Sequence, residues 1–270
     1  MIKRITQAVE YIRTKTNDVP ETALILGTGL NSIADMIKNP ILIPYKSIPN
    51  FPASTAPSHV GKMIVGDISG KKVIILQGRV HFYEGYSMQE VTFPIRVLNQ
   101  LGVKNIIITN AAGSLNENLV PGNIALITDH INFMGANPLI GENYDDFGER
   151  FPSMHEPYNQ KIRKLAMDIA FENNFIIKEG IYVAVAGPSL ETTAECKMLI
   201  TFGADLVGMS TVPEVIAAIH GGMNVLGISI VTNLSNVFHS EPHSQEEIRK
   251  NAAQAKSNLK TLIQELIKRM

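Results

Sequence analysis

The chain has 270 residues, 45% hydrophobic and 18% charged, with a formal net charge of −1. That length buries a full core as one large α/β domain or two small ones, and the near-neutral balance gives no basis for a nucleic-acid or acidic-membrane partner. A single cysteine, Cys196, excludes an internal disulfide and a cysteine-based metal cluster.

The start, MIKRITQAVEYI, mixes charge into an amphipathic pattern unlike a signal peptide, and no stretch approaches the run of about 20 apolar residues of a membrane span. A soluble, cytoplasmic protein is expected. Ile5, Val9 and Ile12 recur at helical spacing and predict a short surface helix. Residues 23–26 read as a buried strand, followed by Gly27-Thr28-Gly29 and a helix-like segment over 30–37. Such a glycine turn lets backbone N–H groups approach a phosphate closely. It is not a dinucleotide fingerprint, because Ser32 takes the third glycine position and no acidic residue follows about 20 positions later.

Residues 39–58, rich in proline and serine, read as a long loop. Residues 62–68 and 71–76 form a hairpin across Ser69-Gly70. A helix over 91–101 stops at Gly102, and a strand over 105–109 runs into Asn110-Ala111-Ala112-Gly113-Ser114. Pro121-Gly122 turns into a strand over 124–128, ending at Asp129-His130. The irregular stretch 135–157 has the length of a functional or interface loop. Ile162, Leu165, Ile169 and Ala170 mark a helix. Strand, polar turn and helix then repeat: 181–186 leads into a helix closed near Gly203, and 205–208 leads through Met209-Ser210 into a helix with Pro213 in its first turn. A strand over 225–231 ends at Thr232-Asn233. The C-terminus reads as one long helix, with a Ser244/Glu247 capping box and an apolar face of Ile248, Ala252, Ala255, Leu259, Leu262 and Leu266. No composition shift marks a boundary, so residues 1–270 are expected to form one α/β domain.

The stretch 73–86, VIILQGRVHFYEGY, begins as a strand and breaks at Gly78. If the extended geometry continues, Arg79, His81 and Tyr83 share one face at a strand's C-terminal end, where open α/β sheets place their ligands. A guanidinium, an imidazole and a phenol suit an anionic, hydroxylated ligand; the competing reading is a solvated turn. Other polar residues also fall at strand ends: Thr28, Asn110, Glu191, Ser210 and Asn233. Hydroxyls and amides there suit an anion, while Glu191 and Asn233 can read a heterocycle's hydrogen-bonding edge. Gly208-Met209-Ser210-Thr211-Val212 lacks the second glycine of a nucleophile elbow, and Cys196 falls mid-helix as an inert buried thiol. His239 and His243 flank Glu241, but Pro242 argues against a helix and no further ligand supports a metal. His130, His155 and His220 read as surface or satisfied core histidines, and Asp145-Asp146 as a solvated loop.

Taken in order, GTGL, GRVHFYEGY, TNAAGSLN, DFGERFP, VAGPSLETTAEC, GADLVGMSTVPEVIAA and SIVTN resemble the trimeric, 6-oxopurine-preferring purine nucleoside phosphorylases. The resemblance implies a central mixed sheet curling into a distorted barrel, surrounded by helices, and a homotrimer. It implies a phosphate site of Thr28, His59, Arg79, His81, Ala111 (through its backbone) and Ser210. Ribose contacts would be Tyr83 and Met209, and the base would meet Glu191, Asn233, Val207 and Gly208. Phe147 would be lent to a neighbouring subunit's ribose. His81, Asn233 and Glu191 would carry the chemistry, with no metal and no cofactor beyond phosphate as co-substrate. Three positions depart from the family pattern. Thr28 stands where many members have Ser, and Leu190 stands where a Phe packs on the base. The histidine expected near the ribose 5′-hydroxyl falls at Gln245, with His243 as its alternative.

The implied reaction is reversible phosphorolysis of inosine, guanosine and their 2′-deoxy forms to free purine and (deoxy)ribose 1-phosphate, in purine salvage. Asn233 and Glu191 favour 6-oxopurines, because adenine offers a donor at position 6 and no N1–H. A hydrolytic nucleosidase, a methylthioadenosine phosphorylase and a binding module without turnover are the rivals.

Overall fold

The computed structural model describes residues 1–55, 60–241 and 244–270, with the side chains of Gln245, Glu247, Ile248 and Arg249 outside the description. Nine strands, among the described residues, form one mixed sheet: β1 (Thr22–Leu26), β2 (Lys38–Pro44), β3 (Lys62–Ile68), β4 (Lys71–Gln77), β5 (Asn105–Ser114), β6 (Ile124–Phe133), β7 (Ile177–Val185), β8 (Leu206–Gly208) and β9 (Asn224–Leu234). The helices are α1 (Ile2–Arg13), α2 (Met88–Val91), α3 (Phe93–Leu101), α4 (Gln160–Glu172), α5 (Thr193–Thr201), α6 (Val212–His220), α7 (Gln245–Gln254) and α8 (Lys256–Arg269). The strand order is β2-β3-β4-β1-β5-β8-β7-β6-β9, and β5 also pairs with β9. That extra pairing closes β5-β8-β7-β6-β9 into a ring, which is the expected distorted barrel, with β4-β1 and the β2-β3 edge continuing from it.

The central strands carry continuous apolar runs, such as residues 23–26 and 106–108, because both faces are covered. In β1, Ala23 and Ile25 join a core shared with Ile5 and Ile12 of α1, Val97 of α3 and Val215 of α6. Leu24 and Leu26 face the opposite core, with Ile169 of α4 and Leu259, Leu262 and Leu266 of α8. Each fully buried aliphatic side chain contributes roughly 1.5–3 kcal/mol relative to exposure. Cys196 sits buried in α5, in a third, smaller cluster.

Several predicted elements change extent. The loop expected over 39–58 begins as an edge strand, β2, antiparallel to β3. Its prolines are tolerated because only one side is paired, with a register shift between Lys38 and Ile41. The strand expected to stop at 109 continues to Ser114, since β9 runs parallel beside it and a register shift at Ala112/Gly113 bends it instead of ending it. β6 likewise continues to Phe133 alongside β7. The helix expected over 91–101 is two pieces meeting at Thr92: Ser87 caps α2 with Glu90, and Gly102 ends α3 at φ 102°. The single C-terminal helix is also two, interrupted at Ala255. α7 packs on the end of β9, where Asn251 Nδ2 donates to Thr232 O at 2.7 Å, whereas α8 lies along α4 and β3. Those two docking directions explain the break.

Candidate active site

The C-terminal ends of β1, β4, β5 and β9, parallel neighbours, open into one cleft of about 170 Å³ together with the end of β8. Thr28 follows β1, Arg79 and His81 follow β4, and Ala111 lies on β5. Ser210 and Met209 follow β8, Asn233 ends β9, and Leu190 and Glu191 follow β7; all of them line the cleft, as do Tyr83, Val207 and Gly208. His59 and His243 lie outside the described residues, as does the side chain of Gln245.

Arg79 anchors one end. Nη1 donates to Ser210 Oγ at 2.9 Å, and Nη2 lies 3.2 Å from Glu214 Oε2. The backbone on either side is tied to the 39–58 segment: Tyr45 donates to Gly78 O at 2.8 Å and Ser54 to Arg79 O at 2.9 Å. Ser210 is presented by a tight turn. Val212 N donates to Ser210 O at 2.8 Å around Thr211 at φ 71°, ψ −56°, a γ-turn of the rarer, strained hand. Asn110 Nδ2 donates to Thr211 Oγ1 at 2.9 Å and secures that turn.

His81 is in extended backbone, but Tyr83 comes from a 3-10 turn, Phe82–Glu84, so the strand geometry does not continue through it. The turn still keeps Tyr83 on the same face, with its ring stacked on His81 at 4.6 Å between centroids. Glu84, off the shared face, is expected to support either Asn233 or the loop, and the structure gives it the loop, through Thr55. It accepts from His81 N at 2.7 Å and lies 2.9 Å from His81 Nδ1, while Thr55 donates to it from its hydroxyl and backbone N–H. Burial, and then the Arg79 charge, lower the His81 pKa to about 4 against the pull of Glu84. The imidazole is therefore neutral at neutral pH, with the proton on the Nδ1 that faces the carboxylate.

At the other end, burial raises the Glu191 carboxyl pKa. Thr232 Oγ1 lies 2.9 Å from Asn233 Oδ1 and 3.2 Å from Ala112 O, so rotation of the hydroxyl offers its proton to either. Gly113 leaves space for this amide: a Cβ there would lie 3.3 Å from Asn233 Nδ2. Gly208 is needed because a Cβ would fall 2.2 Å from the Tyr182 hydroxyl. Leu190 is 52% exposed at the rim.

Phe147 is not in the cleft. It is 4% exposed in its own chain, with its ring 5.0 Å from the Arg96 guanidinium, so in this conformation it is not presented to a neighbour. Of the remaining histidines, His220 Nδ1 accepts from Arg96 Nη1 at 2.8 Å, His130 pairs with Tyr158 Oη at 3.0 Å, and His155 is exposed. His239 Nδ1 donates to Glu241 O at 2.8 Å. Asp145 and Asp146 are exposed, as expected. Gly113 and Thr232 line the cleft without having been singled out, and Asn110 was noted only as a strand-end amide. Their signal was adjacency: Thr232 precedes Asn233, and Gly113 and Asn110 belong to TNAAGSLN.

A family model for the phosphorylase superfamily matches residues 21–268. The chain belongs to that superfamily. It is 48% identical over 267 residues to purine nucleoside phosphorylase 1 of Bacillus subtilis (strain 168), covering 99% of this chain and 98% of that one. Among solved structures, isoform 2 of purine nucleoside phosphorylase from Schistosoma mansoni, with cytosine and ribose-1-phosphate, superimposes at TM-score 0.95 with 40% identity, covering 99% of this chain and 96% of that one. A Schistosoma mansoni purine nucleoside phosphorylase with inosine gives 0.94 and 41%, covering 100% and 97%. Among the described residues, no helix is long and apolar enough to cross a membrane.

Proposed function

We infer that this chain catalyses the reversible phosphorolysis of 6-oxopurine nucleosides, inosine and guanosine with their 2′-deoxy forms. The observation that carries this reading is the placement of two chemically different ends in one cleft: Arg79 with Ser210 at one, Glu191 with Asn233 at the other. The relatives named above point the same way.

Phosphate is already an anionic nucleophile, so the site requires no activated serine or cysteine and no cofactor. A phosphate oxygen forms a bond to the anomeric carbon, the C1′–N9 bond breaks, and its electron pair goes to the purine. Arg79, Ser210, Thr28, His81 and the Ala111 backbone hold the phosphate. Tyr83 and Met209 contact the ribose, with Val207, Gly208 and Leu190 around the base. With Nδ1–H committed to Glu84, the other His81 nitrogen is an acceptor and takes a hydrogen bond from the hydroxyl of a hydrogen phosphate. Asn233 meets N7 and O6 as negative charge develops on the base, and Glu191 accepts from N1–H. The catalysis is positioning and electrostatic stabilisation of separating charge. Raising the Glu191 pKa by burial disfavours its anionic form in the empty cleft, and an N1–H donor compensates that cost. Adenosine lacks this donor, and each buried group left unpaired costs about 1–3 kcal/mol.

A trimer and a cytoplasmic location belong to the same proposal. Phe147 would reach a neighbouring ribose only by leaving its seat beneath Arg96. Incubation with inosine, with and without phosphate, tests the reaction. Hypoxanthine released only with phosphate is the expected result. Release without phosphate means a hydrolase, and no release in either means a binder or another substrate.

A further inference from the structure

Arg79 serves two sides at once. Its Nη1 edge meets Ser210 Oγ at the cleft wall, and Nη2 lies 3.2 Å from the Glu214 carboxylate behind that wall. The two side chains are only 3% and 5% exposed, so the pair is dry and its mutual attraction poorly screened. Glu214 is in the first turn of α6, directly after the Thr211 turn that presents Ser210, so the acid and the cleft wall belong to one continuous segment. Glu214 itself is not part of the cleft lining, whereas Arg79 is.

A neutral Gln at this position could orient a guanidinium through a hydrogen bond. What a carboxylate adds is charge, and charge here opposes any anion that seeks the same cation. We propose that Glu214 is a positioning residue that tempers Arg79, holding the guanidinium in place while weakening its hold on phosphate, so that phosphate and the phosphorylated sugar can leave. The coupling is reciprocal: an anion in the cleft loosens Arg79 from Glu214 by the same factor that Glu214 weakens the anion. Burial raises the Glu214 carboxyl pKa above the usual carboxylate range, and the Arg79 charge opposes that rise without cancelling it, so the acid's charge depends on the guanidinium it shares. The proposal rests on the reading that Arg79 meets phosphate.

Steady-state kinetics of Glu214→Gln, with phosphate and inosine varied separately, tests the coupling. The KM for phosphate should fall about tenfold and kcat several-fold, as product is held longer, with kcat/KM for inosine unmoved. Glu214→Asp, which keeps the charge, should retain a phosphate KM within about twofold of the parent. A purely structural role predicts the opposite sign, a raised phosphate KM in Glu214→Gln; that result, or no change, overturns the proposal. Should Glu214→Gln fail to fold, phosphate-difference infrared spectra of the unaltered protein decide. A buried carboxylate band that shifts on phosphate binding, and is displaced in Glu214→Asp, supports the coupling; a silent carboxylate region overturns it. Arg79→Gln separates the two readings. If it leaves the phosphate KM unchanged, the assignment of the phosphate end fails and this proposal with it. If it raises that KM while Glu214→Gln is silent, only the coupling fails.

Discussion

The two ends of the cleft are built differently. At the Arg79 end nearly every polar group is seated by another part of the chain: Ser210 by Arg79, the Thr211 turn by Asn110, His81 by Glu84, and Glu84 by Thr55. At the Glu191 end the wall is an exposed Leu190, and the acid sits with a raised pKa beside an amide steadied by Thr232. Fixed donors stabilise charge best when they need no rearrangement, which suits the end that holds an anion. A heterocycle brings its own donors and acceptors, so the other end stays open until the base supplies them.

The largest way to break this contrast is Arg79→Ala. It should lower kcat/KM by about a thousandfold and leave the Glu214 carboxylate buried without its cation, costing about 3–5 kcal/mol of stability. A thermal melt within a degree or two of the parent would mean that Arg79 is not structurally committed. Asn233→Ala should act on chemistry without that penalty, cutting inosine phosphorolysis by about a hundredfold while the melting temperature holds. Asn233→Asp should shift preference towards adenosine, where a carboxylate can accept from the 6-amino group. Near-parental turnover of inosine in the alanine variant would remove Asn233 from the base-reading role.

The His81 network predicts a pH dependence. Its folded pKa of about 4 lies below the ordinary imidazole value of 6.5, so the unfolded chain takes up the proton first as pH falls. Stability from this group is intact above pH 6.5 and is lost progressively as pH falls through 4, by about 3 kcal/mol in all. Denaturation midpoints followed over that range should fall less steeply in His81→Gln; equal slopes would place the neutral imidazole elsewhere. The smallest effect belongs to the open end. Leu190→Phe adds aromatic contact at the rim and should lower the inosine KM about two- to fivefold with kcat little changed. An unaltered KM would mean that this side chain does not touch the base.

Much of the site was legible because its residues follow apolar runs. Arg79 and His81 come after a strand that reads plainly from VIILQ, and Asn233 closes SIVTN. The hairpin at Ser69-Gly70, the buried Cys196 and the helix behind Pro213 were equally open to a local reading. Phe147 was not: its motif suggested an outward role, and only the packing of Arg96 and His220 shows where the ring lies. Glu84 was legible only as far as a choice between Asn233 and the loop, because which neighbour a carboxylate meets depends on a turn that alternation does not foresee.

The order of elements, the mixed α/β class and the identity of most cleft residues were written in the chain itself, since hydrophobic periodicity and strand-end polarity are local properties. Closure of the barrel through β5 and β9, the edge strand in a proline-rich segment, the break at Ala255 and the buried Arg79–Glu214 pair were decided only in three dimensions. Each depends on what lies across a gap of many residues, and pairing or burial across such a gap leaves no periodic trace in the sequence.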